Sequence, residues 1–139
     1  MRTALLTFVL GAVALPVAAH HSAAVFYQMD KEITVEGVVK TYNLGNPHAR
    51  IYMTVTGADG KPQEWLAEGG SRTVLLRNGF KGDEVKAGDK VKIVGNPARD
   101  GTNVVHWEKL ILADGKVLWG EDVPEPDKLE ELRHKIVRR

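Results

Sequence analysis

Short runs of alternating apolar and polar residues, separated by glycine-containing turns, fill most of the chain after Lys31. In the first run, Ile33, Val35 and Val39 would share one face of a strand, and polar residues would share the other. The runs are EITVEGVVK (32–40), RIYMTVT (50–56), QEWLAE (63–68), VKIVG (91–95), NVVHWEKLIL (103–112) and KVLWG (116–120). Asp-Gly pairs at 59–60, 100–101 and 114–115 are typical of tight turns. Because such strands have one apolar face, they must close on themselves or on a second sheet.

One segment between the third and fourth runs has a helical pattern instead. Ser71 is placed to cap a short helix, SRTVLLRN (71–78), and Gly79 to end it, while the apolar residues 74–76 would plug one end of a sheet. Gly37 favours a bulge or sharp bend that lets the first strand serve both sides of a small barrel. The order predicts an all-β fold with a short helix, a small OB-like antiparallel barrel of five to six strands. Another small antiparallel barrel or sandwich is the alternative.

The first 19 residues have the pattern of a secretory signal peptide. Arg2 precedes an apolar run (4–15) that is shorter than the ~20 residues a membrane-spanning helix needs. Pro16 and the small residues up to Ala19 offer a cleavage site, although a cut after Ala24 would fit the same pattern. We therefore predict a protein that is periplasmic or secreted after cleavage near Ala19. An uncleaved N-terminal anchor is the alternative.

Four segments make up the predicted organisation of the chain: a signal peptide (1–19), an N-terminal arm (20–30), the OB-like barrel (31–120), and a linker with a C-terminal amphipathic helix (121–139). The apolar stripe of that last helix is narrow, which favours a solvated appendage over a helix that binds a partner or a membrane surface. No segment after the signal is apolar enough to span a membrane, so no span is predicted in the mature chain.

Composition narrows the function classes. The chain has no Cys, which excludes disulfides, thiolate metal sites and thiol catalysis. Lys and Arg total 19 against 18 Asp and Glu, so a nucleic-acid partner is not predicted. There is no paired-carboxylate spacing, G-x-S-x-G motif or phosphate-binding glycine loop. The sequence therefore predicts a binding protein rather than an enzyme.

Several motifs in fixed order resemble a family of small exported bacterial proteins, domain of unknown function 6152. They are AHHSAA (19–24), NPHA (46–49), EGGS (68–71) followed by LLR (75–77), and KAGDKV (86–91). The resemblance covers about residues 18–119 and implies export and an OB-like barrel, with no established activity. Members of the family often carry Trp two residues before NPH and just after NPHA, where this chain has Leu44 and Arg50. If those two Trp form a binding surface, this chain has lost part of it.

The histidines suggest a metal site. After cleavage behind Ala19, His20 would carry a free α-amine that forms one chelate with its own ring nitrogen. Nitrogen-rich sites of amine and imidazole suit Cu(II). We predict His20, His21, His48 and His106 as candidate copper ligands. A polar, cleavable start without metal is the alternative interpretation of the first two.

A metal-free binding module is the second hypothesis. OB barrels bind ligands on the face of the second and third strands and in adjoining loops. Arg50, Tyr52, Glu64 and Glu68 are the candidate ligand-binding residues on that face. The partner would be a small ligand or another envelope protein, and the sequence leaves both its identity and the oligomeric state open.

Overall fold

Eight elements build the structure, a computed structural model in which residues 23–120 are described. In chain order they are α1 (Ala23–Phe26), β1 (Ile33–Asn43), β2 (Arg50–Thr56), β3 (Pro62–Glu68), α2 (Arg72–Arg77), β4 (Lys90–Pro97), β5 (Val104–Leu112) and β6 (Val117–Trp119). The predicted signal peptide, His20, His21 and the predicted C-terminal helix lie outside the described residues.

The strands form a closed five-stranded barrel with one additional strand. Neighbouring strands follow the order β3-β2-β1-β4-β5-β6, and all these pairs are antiparallel. A parallel pairing between β3 and β5 closes the ring, and β6 extends β5 outside it. This arrangement, with α2 between the third and fourth strands, confirms the predicted all-β, OB-like barrel. Within the described part of the chain, no helix is long and apolar enough to cross a membrane.

β1 serves two neighbours, as the sequence predicted. Residues 33–38 pair with β4 and residues 38–43 pair with β2. At the changeover, a Cβ on Gly37 would lie 2.8 Å from the carbonyl oxygen of Thr54, so only glycine permits this close approach. The register shift lies between Val39 and Thr41, not at Gly37. The predicted bulge is therefore displaced to Lys40, an exposed residue whose side chain pairs with Glu64.

Val35 and Val39, which alternation predicted to share one face of β1, are buried in the barrel interior, and Ile33 is partly buried against it. The largest fully buried side chains of the interior are Ile51, Met53, Leu75, Ile93, Val105, Trp107 and Leu110. The amide of Val74 donates to the Ser71 hydroxyl, which caps α2 as predicted, and Leu75 enters the core from this helix. The prediction that 74–76 together plug the barrel end is wrong for Leu76, which is 39% exposed because it points away from the core on the helix.

Candidate functional site

The N-terminal arm folds back onto the barrel ahead of β1. The amide of Gln28 donates to the carbonyl of Pro97 at 2.9 Å, and the amide of Arg99 donates to the carbonyl of Phe26 at 2.9 Å. Tyr27 and Ala98 form an isolated antiparallel bridge between these bonds. The arm therefore lies beside the turn between β4 and β5. No periodic pattern in the arm predicts this contact.

A cavity of about 570 Å³ lies between the arm, the β1–β2 loop and the β4–β5 loop, and we call it the arm–loop cavity. Its lining includes Ala23, Tyr27, His48, Arg50, Glu68 and His106. These residues come from separate parts of the chain, and the barrel topology brings them together. In OB barrels the loops after the first and fourth strands border the ligand site.

The polar lining follows the strand register. Glu68 pairs with Arg50 across the antiparallel β2–β3 ladder and with His106 across the parallel β3–β5 ladder. Side chains of register partners share a face, and Ala67, next to Glu68, is buried in the core. Arg50, Glu68 and His106 consequently form a row on the outside of the barrel.

Both oxygens of the Glu68 carboxylate are hydrogen bonded. The Nε of Arg50 donates to Oε1 at 2.8 Å, and the hydroxyl of Tyr27 donates to Oε2 at 2.7 Å. Burial alone would raise the pKa of Glu68, but the hydrogen bonds from Tyr27 and Arg50 hold it below its ordinary value. Burial, followed by the hydrogen bond to Glu68, raises the pKa of Tyr27 well above its ordinary value. At neutral pH a tyrosine hydroxyl therefore faces a carboxylate.

The two histidines of the cavity have different surroundings. The Nδ1 of His48 lies 3.2 Å from the carbonyl oxygen of Gly69. Because a carbonyl only accepts, this contact is a hydrogen bond when Nδ1 carries the proton, which leaves the Nε2 lone pair available. His106 is 8% exposed, and its ring centroid lies 5.1 Å from that of Tyr27.

The NPHA and EGGS motifs meet at the edge of the cavity. The amide of Ala49 donates to the carbonyl of Gly70, and the amide of Gly69 donates to the carbonyl of Ala49, both at 2.9 Å. A Cβ on Gly69 would lie 2.3 Å from a ring carbon of Trp107. Glycine at this position thus lets the core tryptophan pack directly beneath the segment that follows Glu68. The same segment supplies the Gly69 carbonyl that His48 contacts.

The remaining candidates lie elsewhere. Tyr52 is 44% exposed on the outer face of β2 and does not line the arm–loop cavity. Glu64 accepts from the Nζ of Lys40 at 2.5 Å and from the hydroxyl of Thr54 at 3.2 Å, at the opposite end of β3 from Glu68. Residues 23–120 contain no group of three or more His, Asp or Glu side chains that could hold a metal ion. Tyr27 was not predicted as a site residue, because no pattern around it in the sequence indicates a site.

We expect Glu68→Gln to reduce stability at neutral pH by about 1–3 kcal/mol, because it removes a charged acceptor of two hydrogen bonds. The lowered pKa of Glu68 means that its ionised form stabilises the fold above the ordinary value of 4.5. This contribution is lost as the pH falls through the folded-state pKa. The difference between wild type and variant should therefore be constant above about pH 5 and shrink below it.

Urea denaturation between pH 3 and pH 7, with a chelator present, measures this difference. Glu64→Gln is the matched control, because the Lys40–Glu64 pair is exposed and contributes little. A loss of stability in Glu68→Gln no larger than that in Glu64→Gln would contradict the claim that the ionised Glu68 carboxylate stabilises the fold.

The fold and the cavity define a small OB-like barrel with a cleft beside its closing strands, lined by apolar residues and a row of polar side chains. The family model described as a family of unknown function, DUF6152, matches residues 9–106 of the chain. The chain therefore belongs to the DUF6152 family, and the resemblance stated from its motifs is confirmed. The comparison with curated proteins found no match.

Proposed function

We propose that this protein is an exported, non-catalytic binding protein that holds a copper ion in the arm–loop cavity. One observation carries the proposal: the cavity wall includes Ala23 of the arm together with His48 and His106 of the barrel. Two imidazoles from separate parts of the barrel thus border the same space as Ala23, which lies two residues after His21.

The length of the chain supports a contribution from His20. His20 precedes Ala23 by three residues, which span at most about 10 Å when extended. With export and cleavage behind Ala19, the α-amine and ring of His20 are within reach of the cavity. His21 offers a further ring from the adjacent position.

His48 is the barrel ligand with the most suitable geometry. Metal-binding histidines usually donate their second ring N–H to a carbonyl or carboxylate, which fixes the tautomer and orients the ring. With the proton on Nδ1, the contact of His48 with the Gly69 carbonyl has this form, and Nε2 is the nitrogen that would bind the metal. His106 packs against Tyr27 and is mostly buried, so its contribution is expected to be smaller.

The ligand set favours copper. Amine and imidazole nitrogens suit Cu(II), which also leads the affinity order of the divalent first-row metals. Because residues 23–120 supply no three-ligand group, the proposed site depends on the N-terminal amine and ring. Loss of His20 is therefore expected to abolish tight binding, whereas loss of a barrel histidine weakens it.

The test uses protein exported from the full chain, with an intact mass that fixes its first residue. We expect one tight equivalent of Cu(II) with nitrogen splitting in the electron paramagnetic resonance spectrum. His20→Ala should abolish it, and His48→Ala should weaken it by at least about tenfold. His134→Ala, outside the described residues, is the matched control and should leave the titration unchanged.

Two results would overturn the copper proposal. One is weak binding that neither His20→Ala nor His48→Ala alters. The other is a mature chain that begins at Val25, because this chain would lack both N-terminal histidines.

A metal-free binding module is the second candidate, favoured by Arg50 and Glu68 in the wall of the same cavity. Its ligand would be a small polar molecule or a segment of an envelope protein held between the two loops. Ligand binding that persists when His20 and His21 are both replaced by Ala, but fails in Arg50→Ala, would favour this module over the copper site.

A further inference from the structure

Tyr27 is the buried anchor of the N-terminal arm. It is 7% exposed, whereas its neighbours Val25 and Phe26 are 66% and 61% exposed. The Tyr27 ring packs on His106, and its hydroxyl reaches Glu68 on β3. One side chain thus connects the arm to both strands that close the barrel.

We propose that Tyr27 and Glu68 are positioning residues whose hydrogen bond latches the arm across the arm–loop cavity and couples ligand binding there to docking of the arm. The coupling rests on the proposed function, whereas the latch stands on the contacts of the arm alone.

Glu68 is suited to this role because its carboxylate is held in place from the other side. Arg50 occupies Oε1, so Oε2 faces the Tyr27 hydroxyl at 2.7 Å in a partly buried position. Hydrogen bonds to an ionised acceptor are among the stronger ones in proteins. The backbone bonds of Gln28 and Phe26 hold the arm beside the same turn.

The coupling follows from the composition of the cavity wall. Ala23 and Tyr27 belong to the arm, whereas His48 and Arg50 belong to the barrel. A ligand that contacts both sides binds the docked arm better than the undocked arm, and so it shifts the population toward docking. By reciprocity, protein with an undocked arm binds the ligand more weakly than protein with a docked arm, by the same factor by which the ligand favours docking.

Tyr27→Phe tests the latch, because it removes one hydroxyl and keeps the ring that packs on His106. Tyr42→Phe is the matched control: the Tyr42 hydroxyl is also buried, but it has no hydrogen-bond partner among residues 23–120. Amide hydrogen exchange is measured at Gln28 and Arg99, whose N–H groups make the arm–turn bonds, in exported protein with a chelator present.

We expect Tyr27→Phe to accelerate exchange at both amides by about tenfold, with exchange at the core residue Ile93 unchanged. Tyr42→Phe should leave both amides at the wild-type rate. Equal rates in Tyr27→Phe and wild type would overturn the latch, whatever the outcome of the copper titration.

Titration of the same variants with Cu(II) tests the coupling. We expect saturating Cu(II) to slow exchange at Gln28 and Arg99 by about tenfold, in Tyr27→Phe as in Tyr42→Phe, because bound ligand favours the docked arm. Exchange that is faster in Tyr27→Phe but that bound Cu(II) does not slow would overturn the coupling and keep the latch. If wild-type protein binds no copper, the proposed function and the coupling fail together, and the exchange rates still decide the latch.

Discussion

Replacing Trp107 by Ala is expected to lower the free energy of unfolding by about 3–5 kcal/mol, the usual cost of truncating a buried tryptophan. Trp107 is fully buried, and its ring lies against the backbone of Gly69 and Gly120. Truncation would leave a cavity beneath the segment that carries Glu68. Because both neighbours are glycines, no nearby side chain from them can fill the space.

Urea denaturation followed by circular dichroism measures this loss. Trp119→Ala is the matched control, since Trp119 is only partly buried on β6, with the Lys109 ammonium 5.4 Å from its ring centroid. Trp107→Phe should cost less than Trp107→Ala, because it keeps an aromatic ring and removes an indole N–H without a hydrogen-bond partner among residues 23–120. A Trp107→Ala loss no greater than that of Trp119→Ala would contradict this account of the core.

The second large effect is expected for Gly95→Ala, at about 3 kcal/mol or more. A Cβ at Gly95 would lie 1.9 Å from the carbonyl oxygen of His106 and 2.9 Å from the Cα of Trp107. Both atoms belong to the backbone of β5, so β4 and β5 must separate to make room. The register shift between Val94 and Gly95 marks the same position.

Gly57→Ala is the control for Gly95→Ala. A Cβ at Gly57 would meet the side-chain amide nitrogen of Gln63 at 2.6 Å, and this flexible group can move away. We expect a change within about 0.5 kcal/mol for Gly57→Ala. Comparable midpoints for the two variants in urea would show that β4 and β5 tolerate the added methyl group.

The strands and α2 were predictable because their signals are local. Alternation over a few residues determines which side chains face the core, and Ser71 caps α2 through a bond to Val74, three residues away. The displaced bulge at Lys40 was not predictable, because it depends on how closely β1 approaches β2 at Gly37.

The site was predictable only in fragments. The sequence predicted His48 and His106 as metal ligands, and it predicted Arg50 and Glu68 as residues of a different ligand site. In the structure all four residues line the same cavity. This grouping depends on the parallel register of Glu68 with His106, which no local period encodes. Tyr27 joins them through contacts with residues more than 40 positions later, beyond any local pattern.

The site lies across the parallel pairing of β3 and β5 that closes the barrel. Glu68 and His106 are neighbours only when residues 66–68 lie beside 104–106, 38 positions further along the chain. A ligand that touches both residues can therefore bind only the closed barrel and not the unfolded chain. By mass action it raises the melting temperature in proportion to the logarithm of its excess over the dissociation constant. Thermal denaturation of the whole protein thus reports on the occupancy of one cleft on its surface, whatever the chemical identity of the molecule in that cleft.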